Sequence, residues 1–140
     1  MPDSVHRIVV GVDGSPSADR ALDWAIGEAT RSGAPLHLVA AWLYPMAYGY
    51  SFSASVPEVQ HESKRVVDDA VARVHAEAPD LTVTGELTQQ TPGPALVAAA
   101  KAADLLVVGS RGRGGFEGLL MGSVSQYCSR HAACSVVVVR

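Results

Sequence analysis

The sequence predicts an α/β fold, a doubly wound five-stranded parallel sheet with helices on both faces. Short apolar runs rich in valine alternate along the chain with segments of helical period, and right-handed crossovers between parallel strands place such helices above and below the sheet. Several of the runs are apolar without interruption, as in strands that are buried on both faces. The 140 residues, 48% of them apolar, are enough for one domain, 1–140, with its own core.

The first strand and the first helix are predicted from residues 7–35. Residues 7–11 are a β-branched run that ends at a glycine, and Ser15 can cap a helix whose first position is Pro16. Small apolar residues then repeat at helical spacing until Gly33, which is typical of a helix end. The first strand therefore turns directly into the first helix.

The middle of the chain predicts two further strands and one long helix. Leu36–Trp42 is a continuous apolar strand, whereas residues 81–88 alternate apolar and polar side chains as an outer strand does. Between them, residues 58–78 keep helical period until Pro79. The connection 43–56 is long and aromatic, and it is either a surface loop packed by its own rings or a lid or subunit contact.

The last third of the chain completes the sheet. Residues 94–103 predict a short alanine-rich helix, 104–109 the fourth strand, 123–131 the fourth helix and 135–140 the fifth strand. If the chain starts in the middle of the sheet, the strand order is 3-2-1-4-5. The winding direction then reverses between the first and fourth strands, and ligands of such sheets bind beyond the strand ends at that point.

A phosphate site is predicted just after the fourth strand. Glycines there let backbone amides approach an anion closely, and a helix that begins at 122–125 adds N–H groups, two serine hydroxyls and the positive end of a dipole. Two arginines in the same segment add positive charge. The candidate phosphate-binding residues are Gly109, Arg111, Gly112, Arg113, Gly122, Ser123, Val124 and Ser125.

The opposite wall of the crevice is predicted to hold a base and a ribose. Val12 and Asp13 follow the first strand, and the Asp13 carboxylate can accept hydrogen bonds from a ribose hydroxyl or an adenine amino group. Ala41 and Val108 can flank a flat base. The alternative for Asp13 is a turn or capping role, because Asp-Gly is a frequent turn pair. Its place opposite the phosphate site favours ligand binding.

The glycine spacing resembles a known family. Gly109, Gly112, Gly122 and Ser123 follow the pattern G-x2-G-x9-G-[S/T], and residues 8–15 read Ile-Val-Val-Gly-Val-Asp-Gly-Ser. Both segments resemble nucleotide-binding members of the universal stress protein family, and the resemblance covers nearly the whole chain. It implies a single-domain fold similar to the adenine nucleotide alpha hydrolases, with ATP and Mg²⁺ as the cofactors and cyclic AMP as the alternative ligand. It also implies the same contacts: Val12 and Asp13 near ribose and base, Ala41 near adenine, and Gly109, Gly112, Gly122, Ser123 and Val124 around the phosphates.

The resemblance also implies a homodimer formed through the last strand, 135–140. The residues support this independently, because four consecutive valines on a sheet edge would otherwise leave an apolar strand unpaired. The net charge of −3 and the scattered basic residues predict no nucleic-acid partner. No run of 18 apolar residues and no signal peptide are present, so we expect a cytoplasmic protein without membrane contact and with an unidentified protein partner.

Three functions remain open from the sequence. The first is a stress-response regulatory module that binds ATP with little or no catalysis, because Asp13 is the one carboxylate that can be placed in the crevice and the five histidines are scattered. The second is a slow metal-dependent ATPase or phosphotransferase in which Arg111 or Arg113 stabilises charge. The third is an adaptor with a vestigial crevice. Cys128 and Cys134 are expected to be buried thiols without a redox role.

Overall fold

The computed structural model describes residues 7–43, 56–112 and 121–140. Its strands and helices alternate along the chain as predicted. The strands are β1 (Ile8–Gly11), β2 (Leu36–Trp42), β3 (Val83–Gln89), β4 (Leu105–Gly109) and β5 (Ser135–Val139), and the helices are α1 (Pro16–Ser32), α2 (Val56–Glu77), α3 (Pro92–Ala100) and α4 (Ser123–His131). Within these residues, no helix combines the length and the apolar character needed to cross a bilayer.

All strand pairs are parallel, and the sheet order is β3-β2-β1-β4-β5. This confirms the predicted order 3-2-1-4-5. β3 and β5 are the two edges, in agreement with the outer-strand pattern of β3 and the edge position expected for the valines of β5. The chain starts at the centre of the sheet, so the winding direction reverses between β1 and β4.

Helices cover both faces of the sheet. Successive strand residues point to opposite faces, and Val10 and Leu38 pack with residues of α1 and α2, whereas Val9 and Leu106 pack with residues of α3 and α4. Side chains of both clusters are almost fully excluded from water. The central strands are therefore buried on both sides, as their uninterrupted apolar sequence predicts.

The caps of α1 agree with the sequence. Ser15 precedes the helix in an extended conformation, and its side-chain oxygen accepts a hydrogen bond from the backbone N–H of Ala18 at 3.2 Å. At the other end, Gly33 has a φ of 80°, and its N–H donates to the carbonyl of Ala29 at 2.7 Å. A left-handed residue at this position favours glycine because a Cβ would be strained.

Two element boundaries differ from the prediction. The helix α3 was expected at 94–103 and starts two residues earlier, because Thr91 is its extended N-cap and Pro92 occupies the first turn. It ends at Ala100, where bonds between residues three apart close the last turn. The strand β3 runs Val83–Gln89 rather than 81–88, because its seven residues pair one to one with the seven of β2.

The connection 43–56 is described only at its ends. Leu43 follows β2 and Val56 already begins α2, two residues earlier than expected. The question of a surface loop or a lid concerns residues 44–55, which lie outside the described residues.

Cys128 is a buried thiol, as expected, while Cys134 is only partly buried. Burial raises the pKa of Cys128 from 9.0 to about 11. Because the folded pKa lies above that of the exposed thiol, its contribution to stability is complete below about pH 9 and is lost as the pH rises toward 11.

We therefore expect Cys128 to be protected from a thiol reagent at pH 8 in the folded protein and to react on unfolding. The measurement uses a Cys134→Ser variant, so that Cys128 is the single thiol. Reaction of the native variant at the rate of a free cysteine would contradict the burial of this side chain.

Candidate functional site

A cleft of about 710 Å³ opens at the carboxyl ends of β1, β2 and β4, where the winding direction reverses. The N-termini of α3 and α4 border the same space. The predicted site residues that line it are Val12, Asp13, Ala41, Val108, Gly109, Arg111, Gly112, Gly122, Ser123 and Val124. Segments that are distant in sequence thus meet in one cleft. Arg113 lies outside the described residues.

The 109–112 loop, which begins at the last residue of β4, is attached to its neighbours by backbone hydrogen bonds. The N–H of Ser110 donates to the carbonyl of Val139 at 2.8 Å, and the carbonyl of Ser110 accepts from the N–H of Gly122 at 2.5 Å. These bonds join the loop to the end of β5 on one side and to the start of α4 on the other. The two halves of the glycine pattern are therefore held together across a gap in the sequence.

Ser125 has a different role from the one expected for its hydroxyl. It is 1% exposed, and its Oγ lies 3.2 Å from the carbonyl oxygen of Ser110 and 3.0 Å from that of Gly122. A hydroxyl whose single proton is directed to one of these two carbonyls does not donate to a ligand in the cleft. The expectation that this hydroxyl binds phosphate is corrected accordingly, and it stabilises the junction of loop and helix instead.

The first turn of α4 presents backbone N–H groups to the cleft. Gly122, the N-cap, has no side chain with which to cap the helix. The amides of Ser123 and Val124 belong to the first turn, where N–H groups have no carbonyl partner within the helix. Such amides, together with the positive end of the helix dipole, favour an anion. The Arg111 side chain on the same wall adds positive charge.

The N-terminus of α3 has the opposite character. Pro92 and Pro94 lie in its first turn and carry no N–H, and Thr91 makes no capping hydrogen bond through its side chain. This helix packs on β2, whose residue Ala41 lines the same part of the cleft together with the following Leu43. The β2 side of the cleft is therefore apolar, while the β4 side offers hydrogen-bond donors. A nucleotide is divided in the same way, into a flat base that suits an apolar wall and phosphates that accept hydrogen bonds.

Asp13 has the turn role that was weighed as its alternative and also faces the cleft. Its Oδ1 accepts a hydrogen bond from the N–H of Ser15 at 2.8 Å, which fixes the turn between β1 and α1. Its Oδ2 is directed toward Gly112, since a Cβ on that glycine would lie 3.3 Å from it. The carboxylate therefore lies close to the end of the 109–112 loop, and both line the cleft.

Several lining residues were missed by the sequence analysis. They are Leu43, Thr91, Pro92, Gly93, Pro94, Leu96 and Tyr127, among others. The sequence does carry a signal for the α3 residues, because a proline directly after a threonine is typical of a helix start. Tyr127 lies four residues after Ser123 and therefore on the same face of α4. Its ring lies against Gly93, where a Cβ would be 2.8 Å from Cδ1 of the ring.

Comparison with known proteins decides the family. The universal stress protein family matches residues 4–140. The chain belongs to the universal stress protein family. A universal stress protein of Mycobacterium tuberculosis is 37% identical over 144 residues, which cover 100% of this chain and 48% of that protein. The chain therefore spans about half the length of the curated relatives that it matches.

Solved universal stress proteins have the same fold over almost the whole chain. One from Burkholderia pseudomallei is 30% identical, with a TM-score of 0.76, and the match covers 99% of this chain and 98% of that one. A second, solved in complex with cAMP, is also 30% identical, with a TM-score of 0.71 and coverage of 98% and 99%. The latter universal stress protein thus holds an adenine nucleotide.

Proposed function

We propose that this universal stress protein domain binds ATP and acts as a nucleotide-dependent regulatory module of a stress response, with little or no catalysis. The observation that carries the proposal is the polarity of the cleft. Amides of α4 and the charge of Arg111 lie on the β4 side, and apolar residues lie on the β2 side. A cleft of about 710 Å³ also falls within the usual size of small-molecule sites.

The site residues would divide between the parts of the nucleotide. Ala41 and Val108 would flank adenine, and Asp13, with the neighbouring Val12, would accept a hydrogen bond from a ribose hydroxyl. The phosphates would lie against the 109–112 loop and the first turn of α4. The residues proposed for the phosphates are Gly109, Arg111, Gly112, Arg113, Gly122, Ser123 and Val124.

The chemistry of the cleft fits Mg²⁺ only as a companion of the nucleotide. Asp13 is the one carboxylate among the described lining residues, and one of its oxygens already accepts from the Ser15 amide. Protein-bound Mg²⁺ commonly takes one or two carboxylates plus substrate phosphates. Phosphate oxygens and water molecules would therefore supply most of the ligands of Mg²⁺ here.

ATP is proposed over cyclic AMP because of the charge on the β4 side of the cleft. Several hydrogen-bond donors and one cation lie there. A chain of three phosphates carries more charge to that wall than a cyclic monophosphate does. The solved relative that holds cAMP supports the adenine nucleotide class and makes cyclic AMP the specific alternative.

The remaining proposals concern the whole protein. We propose that 1–140 is one domain, that two copies pair through 135–140, and that the dimer works in the cytoplasm with a protein partner. The pairing is supported by β5, an edge strand whose Val136 and Val138 are only partly buried. A strand edge of this kind is prone to pair with a second copy.

The test of the function is calorimetric titration of ATP, cyclic AMP and adenosine, with Mg²⁺ present. Binding in which ATP is the tightest ligand supports the proposal. Tightest binding of cyclic AMP would replace it by the alternative ligand, and no binding of any of the three would contradict it. A parallel assay of ATP turnover tests the catalytic alternative, since turnover that is lost in Arg111→Ala would indicate an enzyme.

Asp13→Asn is expected to weaken adenosine binding about tenfold or more, because a hydrogen bond to an ionised acceptor becomes one to a neutral amide. Asparagine keeps an oxygen for the Ser15 amide, so the turn is preserved. The affinity is measured by calorimetry with adenosine, whose lack of phosphate removes any effect of charge repulsion. Asp19→Asn, an exposed residue of α1 outside the cleft, is the control for loss of a charge. Equal affinities of wild type and Asp13→Asn would exclude the ribose contact.

A further inference from the structure

Ser17 connects the first turn of α1 with the 109–112 loop. It is 5% exposed, and its Oγ accepts a hydrogen bond from the backbone N–H of Arg111 at 3.1 Å. The two residues are 94 positions apart in the sequence. Ser17 does not line the cleft, whereas Arg111 does. The hydrogen bond therefore holds a residue that lines the cleft, while Ser17 itself lies outside the cleft lining.

The backbone of α1 also lies directly on Gly109, the first residue of the loop. A Cβ on Gly109 would be 2.7 Å from both the carbonyl carbon and the carbonyl oxygen of Ser17, and it would overlap the hydroxyl of Ser17 as well. The loop thus leaves β4 in contact with Ser17 at Gly109 and remains bonded to it at Arg111. Two points of contact, two residues apart, fix the direction of the loop backbone.

The part of the loop held in this way is the part proposed to meet phosphates. Arg111 has its amide bonded to Ser17 and its side chain exposed at the cleft. Gly112 follows at once and faces Asp13. On the preceding side, Ser110 is held through its backbone by Val139 and Gly122. Ser17 supplies, through its side chain, a hydrogen bond to the amide of Arg111, which is itself a proposed phosphate-binding residue.

We propose that Ser17 is a positioning residue for phosphate binding, which rests on the proposed nucleotide function. By fixing the amide of Arg111, Ser17 directs the Arg111 side chain and the Gly112 amide toward the ligand. Pre-organised donors cost less to order when the ligand binds. Ser17 should consequently matter for the phosphates of a nucleotide and not for its adenosine part, which is proposed to lie against other residues.

The test compares Ser17→Ala with Ser15→Ala. Both serines are buried at the start of α1, but the hydroxyl of Ser15 bonds within its own helix turn, to the N–H of Ala18. ATP and adenosine are titrated into each variant and the wild type. We expect Ser17→Ala to lower the affinity for ATP about three- to tenfold, which is the effect of losing one hydrogen bond, and to leave the affinity for adenosine unchanged. Ser15→Ala should lower stability and leave both affinities unchanged.

Each other outcome has a definite meaning. If Ser17→Ala lowers the affinities for ATP and adenosine equally, or changes neither affinity, Ser17 has no positioning role, although the nucleotide site stands. The same holds if Ser15→Ala weakens ATP to the same degree, because the effect would then come from loosening of α1. If the wild type binds no nucleotide, the proposed function fails and this inference fails with it. Should Ser17→Ala not fold, Ser17→Cys keeps a side chain of similar shape with a much weaker acceptor and is titrated in its place.

Discussion

Gly122→Glu is expected to lower the affinity for ATP about a hundredfold or more while the protein stays folded. A Cβ at Gly122 would lie 3.4 Å from Cα of Arg111 and 3.6 Å from the amide nitrogen of Gly112, which is ordinary van der Waals contact. The residue has φ −80° and ψ 173°, an extended conformation that any amino acid adopts. The fold therefore accepts the side chain.

The new carboxylate would extend from a point between the 109–112 loop and the first turn of α4. It would compete with a phosphate for the amides of both segments and repel it, and one charge pair at about 4 Å near a protein surface is worth roughly 4 kcal/mol. ATP should lose more affinity than ADP, and adenosine should lose little. Calorimetry with the three ligands measures this order.

Gly27→Glu is the matched control for Gly122→Glu. Gly27 is an exposed residue of α1, and a Cβ there would have open space around it to a distance of 4 Å, so the same charge is added on the surface away from the cleft. We expect its ATP affinity to equal that of the wild type. A Gly122→Glu protein that is folded and binds ATP as tightly as Gly27→Glu would show that the phosphates lie elsewhere.

Those parts of the fold that depend on local signals were predictable from the sequence. Ser15, Pro16 and Gly33 act on the backbone of their own helix, and each is visible as a residue type at the expected position. The start of α3 was missed because Pro92 and Pro94 are both compatible with a first turn, and only the extended Thr91 decides between them. Such ambiguity is inherent in two prolines that are two residues apart.

The ends of β3 illustrate a second limit. The strand starts and stops where β2 offers partners, so its length is determined by residues more than forty positions away. Alternation of side chains identifies an outer strand but contains no information about the length of its neighbour. Boundaries that depend on pairing are therefore less predictable than the existence of the strand.

In the candidate site, too, some features were predictable from the sequence and others depend on contacts that form only in the folded chain. The glycine spacing and the position of Asp13 indicated the two walls of the cleft, because the reversal point follows once the chain is taken to start in the middle of the sheet. The roles of Ser17 and Ser125 did not follow. Both are buried serines whose hydroxyls bond to the 109–112 loop or its junction with α4, and these partners are brought near only by folding.

Gly109→Ala is expected to lower the free energy of unfolding by about 3 kcal/mol, the upper part of the range for overpacked sites. The added methyl would meet the backbone carbonyl of Ser17 at 2.7 Å, and backbone in the first turn of a helix cannot move without disturbing the cap. Urea denaturation measures the loss. Because α1 must shift to relieve the contact, the hydrogen bond from the Arg111 amide to Ser17 should break, and ATP binding should weaken in the folded fraction.

Gly11→Ala provides the comparison that identifies the cause. Gly11 ends the neighbouring strand β1, and a Cβ there would meet the methyl groups of Leu96, the nearest at 2.9 Å. A leucine side chain can rotate away, so this variant should lose clearly less stability than Gly109→Ala. Equal losses would mean that any methyl at a strand end is harmful. A larger loss at Gly109 would show that the first glycine of the G-x2-G-x9-G pattern is required by the helix that lies on it.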